Sequence, residues 1–463
     1  MRKEQLYTVL STASDPSTDD PYRVALMHKA SRLGVDEFPL VRWPNGKPCV
    51  PVNAYIMEYL RLGREPGTLK GYARELTHVI RYCAGLDIGF GKLTDNDIWT
   101  LSEHLQTEKK QHDPTASERN PNTVKSILRT TLGFLAWYQQ AFLKYSEVVL
   151  VGELADSANI TVTVEVNDQY FESSKQKHKP KEAISLPQFR PGVKGFYLNH
   201  LSFPTEVSVD PKQPISRMQI QMIEKKIDEK ALKVINNESK QRQDSRTPEL
   251  KIAKAEYLRA RRLFTIWLMK RTGLRPEELI KTPVNQDVGK NGALEIPTAK
   301  RRKKEPPVRK FPMNLQDALR FKRYITSRAS FIKTFKDRDS LYVEPSELLL
   351  TDDGVGIEKE SIARDFRRLA NEAGFEDVDA CLKMFRIRFI TQQVAAHLKE
   401  KMQKTGRNQQ TFEAADYTAI LKRIAELTGH KSEKSLWFYV YKGWEELEVW
   451  DTVDRNIERL RMV

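Results

Sequence analysis

Between Val52 and Leu143 apolar residues return every three or four positions, a period that commits the segment to amphipathic helices. Asn53 to Leu60 starts one, and Thr68 to Cys83 makes a second with Leu69, Tyr72, Leu76, Val79 and Ile80 on one face. Thr94-Asp95-Asn96-Asp97 offers a cap for a third, running to about Leu105. Asn120-Pro121-Asn122-Thr123 opens a fourth, which carries Val124, Ile127, Leu128, Leu132, Phe134, Leu135 and Trp137. The expectation is a small helical domain over residues 46–145. Its apolar faces are needed for its own core, so binding falls to the polar faces. There Lys70, Arg74, Lys125 and Arg129 are placed to meet phosphates; the plain alternative is a solvated helix face.

On either side the pattern changes. Residues 1–45 hold turn-forming clusters, Ser14-Asp15-Pro16-Ser17 and Trp43-Pro44-Asn45-Gly46, and receive no chemical role. Residues 146–213 begin with the β-prone runs Val148–Val151 and Ile160–Val166, then turn polar and proline-rich from Ser173 to Gly195. They read as an elaborated connector between domains, with a hairpin. A second domain is expected over 214–443, followed by a C-terminal helix over 444–463. Altogether this is a mainly α chain with a small β-hairpin or sheet, in the α+β class.

The second domain places cations at element ends. A helix from Pro248 to Met269 stops at Lys270-Arg271-Thr272-Gly273, and Leu274-Arg275-Pro276-Glu277-Glu278-Leu279-Ile280 starts the next with Arg275 at its entrance. A guanidinium beside free backbone N–H groups suits a phosphate, whereas the bland reading pairs Arg275 with Glu278 three positions on. Leu294–Pro297 and Val308–Met313 read as strands of a hairpin whose tip carries Lys300, Arg301, Arg302, Lys303 and Lys304. A further helix begins near Cys381, with Phe389, Val394 and Leu398 inward and Lys383, Arg386 and Arg388 crowding its start. Cations at a helix N-terminus oppose the macrodipole, so an anion is expected there.

Gly429-His430 stands nine residues ahead of Tyr439. A phenol, with an ordinary pKa of about 10, is a poor nucleophile at neutral pH. Nearby cations make it useful against a phosphodiester, because they stabilise both the phenolate and the charge of a pentacoordinate transition state. Leu436, Trp437, Phe438 and Val440 also admit a simple packing role for these tyrosines, and Tyr441 is a rival nucleophile. The net charge of +15, from 77 Lys and Arg against 62 Asp and Glu, favours a polyanionic partner. Three widely spaced cysteines, Cys49, Cys83 and Cys381, indicate neither a disulfide framework nor a zinc cluster. With no long apolar run and no signal-peptide pattern, the expectation is a soluble cytoplasmic protein with no membrane partner.

Taken in order, TGLRPEELI around Arg275, the basic hairpin, KMFRIRFIT around Arg386 and GHKSEKSLWFY resemble the tyrosine recombinases, the phage-integrase family of site-specific DNA recombinases. The resemblance spans residues 52–143, similar to the family's core-binding domain that clamps DNA, and 214–441, similar to its catalytic domain. It implies Tyr439 as nucleophile, Arg275 and Arg386 on the non-bridging oxygens, and His430 as a further donor. Lys383 stands where the family commonly has histidine, and Lys300 or Lys304 acts as general acid, with Arg301 and Arg302 on the DNA backbone. Arg388 competes with Arg386 for its assignment. The stretch 401–425 reads as an insertion, with Met402–Ala419 looking like an inserted loop. Implied with the family are strand cleavage through a 3′-phosphotyrosyl link without metal, ATP or other cofactor, and integration or excision of a mobile element. Double-stranded DNA, a homotetramer on two DNA sites, and accessory DNA-bending or directionality proteins are the implied partners. The final helix, with Leu447, Trp450, Val453, Ile457 and Leu460 at helical spacing, suits docking in cis or in trans. Two other readings use the same residues: a type-IB-topoisomerase-like relaxing enzyme and a non-catalytic DNA-binding protein.

Overall fold

The computed structural model describes residues 5–11, 20–35, 37–108, 119–153, 159–168, 196–207, 212–240, 247–286, 292–299, 307–430 and 432–461. The chain divides into two units, residues 1–209 and 210–463.

The first unit is built on α2 (Val50–Arg61), α3 (Pro66–Leu86), α4 (Asp95–Thr107) and α5 (Pro121–Phe142). Their starts are those the sequence signals. Thr94 and Asp97 form a reciprocal cap ahead of α4, and the Asn120 side chain accepts from Asn122 N ahead of α5. Tyr55, Ile56, Leu69, Leu76, Val79, Leu128 and Phe134 interlock as its core.

Residues 1–45 are part of that unit. They form β1 (Tyr7–Ser11), α1 (Pro21–Arg32) and β2 (Glu37–Val41), with β1 antiparallel to β2 in the register Tyr7 to Val41. Leu10, Leu26, Phe38 and Leu40 are buried with the helices. The fully buried Asn53 finishes β2: its amide oxygen accepts from Val41 N at 2.8 Å and its amide nitrogen donates to Val41 O at 2.9 Å. A buried amide satisfied at both ends fixes where the strand stops.

The stretch expected as a connector contributes β3 (Val149–Gly152) parallel to β4 (Ile160–Thr163), and β5 (Glu165–Asp168) antiparallel to β6 (Phe196–Asn199). Leu150, Val151, Val162 and Leu198 enter the first unit's core. Polar stitches hold them: Val151 N donates to Gln139 Oε1 at 2.7 Å and Thr163 N to Asp95 Oδ1 at 2.7 Å. His200 Nε2 lies 3.0 Å from the same carboxylate oxygen. The described strands therefore form a wall of the first unit, and the proline-rich run 173–195 lies outside the described residues.

The second unit contains α6 (Arg217–Lys240), α7 (Thr247–Thr272), α8 (Pro276–Ile280), β7 (Ala293–Pro297), β8 (Val308–Pro312), α9 (Leu315–Lys336), α10 (Lys359–Glu372), α11 (Lys383–Thr405), α12 (Ala414–Thr428) and α13 (Trp437–Arg461). β7 and β8 are antiparallel, with Ala293 opposite Pro312 and Pro297 opposite Val308. The core is aromatic: Tyr257 stacks on Phe331 at 4.2 Å and Phe264 on Tyr324 at 4.0 Å. Asp365 takes Arg261, Arg262 and Arg368 together and so ties α10 to α7.

Two expectations are corrected here. The stretch 401–425 is mostly helical: α11 continues to Thr405, stops at Gly406, and α12 resumes at Ala414. Asp416 fixes the short connection, accepting from Glu413 N at 3.2 Å while pairing with Arg407 and with Lys401 at 3.0 Å. The C-terminal helix is not separate, because α13 runs unbroken from Trp437 through the region expected to begin at 444.

Candidate active site

The site grows from Glu278, whose side chain is fully buried. At the third position of α8 it reaches back to accept from Arg275 N at 2.9 Å, which is the carboxylate half of a capping box. The same carboxylate takes Arg275 Nη1 at 2.9 Å, Ala299 N at 3.2 Å and Arg309 Nη2. Burial alone would raise its pKa. The Arg309 guanidinium, then the Arg275 backbone N–H and guanidinium, hold it below the usual carboxylate range. Arg275 keeps a fifth of its side chain exposed, at 20%. It is thus anchored from behind with its outer face open.

Arg386 lies in the first turn of α11, and its side chain is held by two helix ends. Nη1 donates to Gly273 O at 2.7 Å, just past α7, and Nη2 to Thr428 O at 2.8 Å, at the end of α12. Helix C-termini carry partial negative charge, so these carbonyls offset the cation that the start of α11 disfavours. No carboxylate is hydrogen-bonded to it among the described residues. Burial, and next the charge of Arg275, lower its pKa to about 9. Gly273 has φ +59°, and a Cβ there would stand 2.3 Å from Phe389 Cδ1. Only glycine lets this carbonyl turn toward Arg386.

Gly429 ends α12 and His430 follows with its N–H returned to Ala425 O at 2.9 Å. The Thr428 hydroxyl donates to Ile424 O at 2.6 Å, so it accepts from His430 Nδ1 at 2.5 Å. That leaves Nε2, 3.3 Å from Arg386 Nη2, as an acceptor. Burial, and then the positive charges of Arg386, Arg275 and Arg309, push the imidazole down to about 4. The ring is therefore neutral and its Nε2 faces a guanidinium. The donation to phosphate expected from the sequence requires Nε2 to gain a proton, which a bound anion favours.

Tyr439 is the third residue of α13. Leu436, fully buried in the preceding turn, anchors the helix start, and Trp437 packs against Tyr417 at 5.6 Å. Burial raises the Tyr439 pKa, whereas the charges of Arg386 and Arg275 lower it. One turn on, Gly443 lies against α11: a Cβ there would be 2.6 Å from Val394 Cγ1 and 3.3 Å from Ala395 N. Residues four apart share a helix face, so the contact at Gly443 sets how closely Tyr439 approaches the arginines. Tyr441, two residues on, is 67% exposed.

Of the other residues expected from the sequence, Lys383 opens α11 and is exposed. Arg388 turns the other way and donates to Ile215 O at 3.0 Å. Lys300, Arg301, Arg302, Lys303 and Lys304 lie outside the described residues. In the first unit Arg74 is exposed, but Lys70 pairs with Glu37 at 2.6 Å. Lys125 and Arg129 converge on Glu206 at 2.8 and 3.8 Å. Glu278 and Arg309 were not singled out as site residues. Their signals were an i,i+3 spacing to Arg275 and the strand alternation that turns Arg309 and Phe311 inward on β8. Among the described residues no His, Cys, Asp and Glu group is arranged to hold a metal ion.

No protein-family model and no curated protein matches the chain. Among solved structures, an XerH site-specific recombinase bound to palindromic difH substrate as a post-cleavage complex is similar at 13% identity, covering 96% of this chain and 91% of that one, with a TM-score of 0.41. A lambda integrase tetramer bound to a Holliday junction is similar at 11% identity, covering 84% and 76%, with a TM-score of 0.43. An XerA recombinase is similar at 12% identity, covering 87% and 98%, with a TM-score of 0.29.

Proposed function

We propose that the chain is a tyrosine-type site-specific DNA recombinase, cutting and rejoining DNA through a 3′-phosphotyrosyl link in the service of a mobile element's integration or excision. One observation carries this reading: a half-buried tyrosine in a helix's first turn lies under the charges of Arg386 and Arg275. A packing tyrosine has no need of two cations held by buried anchors, whereas a phosphoryl-transfer nucleophile does.

In this reading the scissile phosphate takes the open side of Arg275 and the unspent N–H groups of Arg386. Tyr439 Oη forms a bond to phosphorus as the bond from phosphorus to O5′ breaks. The phenolic proton passes to solvent, and Lys300 or Lys304 of the hairpin delivers a proton to O5′ and is later reprotonated from solvent. The phosphodiester energy is kept in the new link, and a partner strand's 5′-hydroxyl reverses the step. His430 supports the phosphate once its Nε2 is protonated, and Lys383 adds charge from the rim. Strand exchange uses a homotetramer on two duplexes, with accessory DNA-bending or directionality proteins. Lys70, Arg74, Lys125 and Arg129 meet the DNA backbone from the first unit.

The test is incubation of the full chain with nicked suicide duplexes, carrying sequence that the protein selects from a randomised pool, followed by denaturation and peptide mapping. A resistant adduct at Tyr439 is expected. A duplex that is bound and yields no adduct would falsify the catalytic reading. Pairing of two sites in a synapsis assay separates recombination from relaxation of a single duplex.

A further inference from the structure

Arg309 is buried as deeply as Arg386 and more deeply than Arg275. Its side chain is 8% exposed, Nη2 is spent on Glu278 Oε2 and Nη1 donates to Leu427 O at 3.1 Å. Its guanidinium lies 5.5 Å over the Phe311 ring, and Nε has no hydrogen-bond partner. Both Nη atoms are turned to Glu278 and Leu427, so what it does to a substrate passes through the groups it holds. It joins the two segments that matter: α8, through the carboxylate that anchors Arg275, and the end of α12, three residues ahead of His430.

Glu278 decides how much positive charge the site can offer. Three guanidiniums (Arg275, Arg309, Arg386) stand around one buried carboxylate, so the cluster carries a net charge of two. With Arg309 present the carboxylate shares its negative charge between two cations. With Arg309 absent, Arg275 alone must neutralise Glu278, and an ion pair closed on itself attracts a phosphate weakly.

We propose that Arg309 is a positioning residue: it takes up the Glu278 carboxylate so that Arg275 keeps its charge for the phosphate, and it pins the backbone that presents His430. The inference rests on the phosphoryl-transfer reading above. The charges acting on Tyr439 are those of Arg386 and Arg275, so Arg309 reaches the nucleophile through the residues it holds in place.

The experiment compares the rate of Tyr439 adduct formation across pH for the full-length wild type, Arg309→Met, Arg309→Lys and the double variant Arg309→Met with Glu278→Gln. The probe is the nicked, protein-selected duplex, and thermal melting verifies folding. Arg309→Met is expected to slow the adduct at least about tenfold at neutral pH and to move the rising limb of the profile to higher pH, with duplex binding little changed. The double variant has the wild-type net charge, two guanidiniums with no carboxylate, and is expected to recover most of the loss. A double variant as slow as Arg309→Met, or an Arg309→Met profile that matches the wild type, overturns the proposal while the adduct chemistry stands. Arg309→Lys keeps the charge without the fork and is expected to hold the wild-type limb at a reduced rate; a displaced limb there overturns the proposal even if Arg309→Met does not fold. A wild type that forms no adduct on a bound duplex overturns both readings.

Discussion

At the scale of single residues, the protonation of two side chains sets what the free site can do. Tyr439 is neutral in the free protein because burial outweighs the pull of Arg386 and Arg275. Tyr439→Phe is expected to bind its duplex normally and to form no adduct; an undiminished adduct yield would assign the nucleophile to another residue such as Tyr441. On the proposed chemistry Arg275 is a transition-state donor, so Arg275→Ala is expected to slow cleavage by about 10² to 10³, checked by single-turnover adduct rates. His430, held down to about 4, is neutral at physiological pH. Because its folded pKa lies below the unfolded value, the unfolded chain takes up this proton first as pH falls below about 6.5. Stability is expected to decline between that pH and about 4, and a His430→Asn variant to flatten that decline in pH-dependent melting. Much of this was legible from local motifs, since Arg275, Arg386, His430 and Tyr439 each stand in a short recognisable stretch. Glu278 and Arg309 were harder, because what makes them matter is a partner arriving from a distant segment.

At the scale of elements, the contact of α13 on α11 carries the geometry. Gly443 has no room for a side chain beside Val394 and the backbone of Ala395. Gly443→Val is expected to push α13 outward, costing about 1–3 kcal/mol by overpacking. The informative signature is a loss of adduct rate greater than the loss of folded fraction, measured on the same sample; equal losses would assign the glycine to packing alone. The helical elements of the first unit were readable from period and caps, as at Thr94 and Asn120. The strands β1 and β2 were not, because five-residue strands that pair across about thirty residues leave no periodic trace longer than noise. The extension of α11 and the start of α12 were hidden by a glycine and polar residues. The ion pairs of Asp416 with Arg407 and Lys401 turn that polarity into structure.

At the scale of the whole molecule, the surplus of positive charge is only partly free to meet a polyanion. Lys70 is engaged by Glu37, and Lys125 and Arg129 by Glu206. If these residues meet phosphates, DNA must displace the acids first. Glu206→Gln is then expected to tighten duplex binding, and Arg74→Gln to make the dependence of log affinity on log salt shallower by about one phosphate contact. Slopes unchanged in both variants would remove this face from the interface. The second unit begins at 210, close to the start expected at 214; the place of residues 146–168 in the first unit was not legible, because their β-prone runs resemble a linker until their partners in α4 and α5 are seen. The assembly of the site has a further consequence. Arg275, Arg386, His430 and Tyr439 meet only when the ends of α7 and α12 present their carbonyls to one side chain, Arg386. On the proposed chemistry, a nascent or partly unravelled copy has no place to hold a phosphate beside its tyrosine. On that chemistry such a copy leaves no broken strand attached to itself, so the bonds that assemble the site also guard the DNA from the protein's own folding errors.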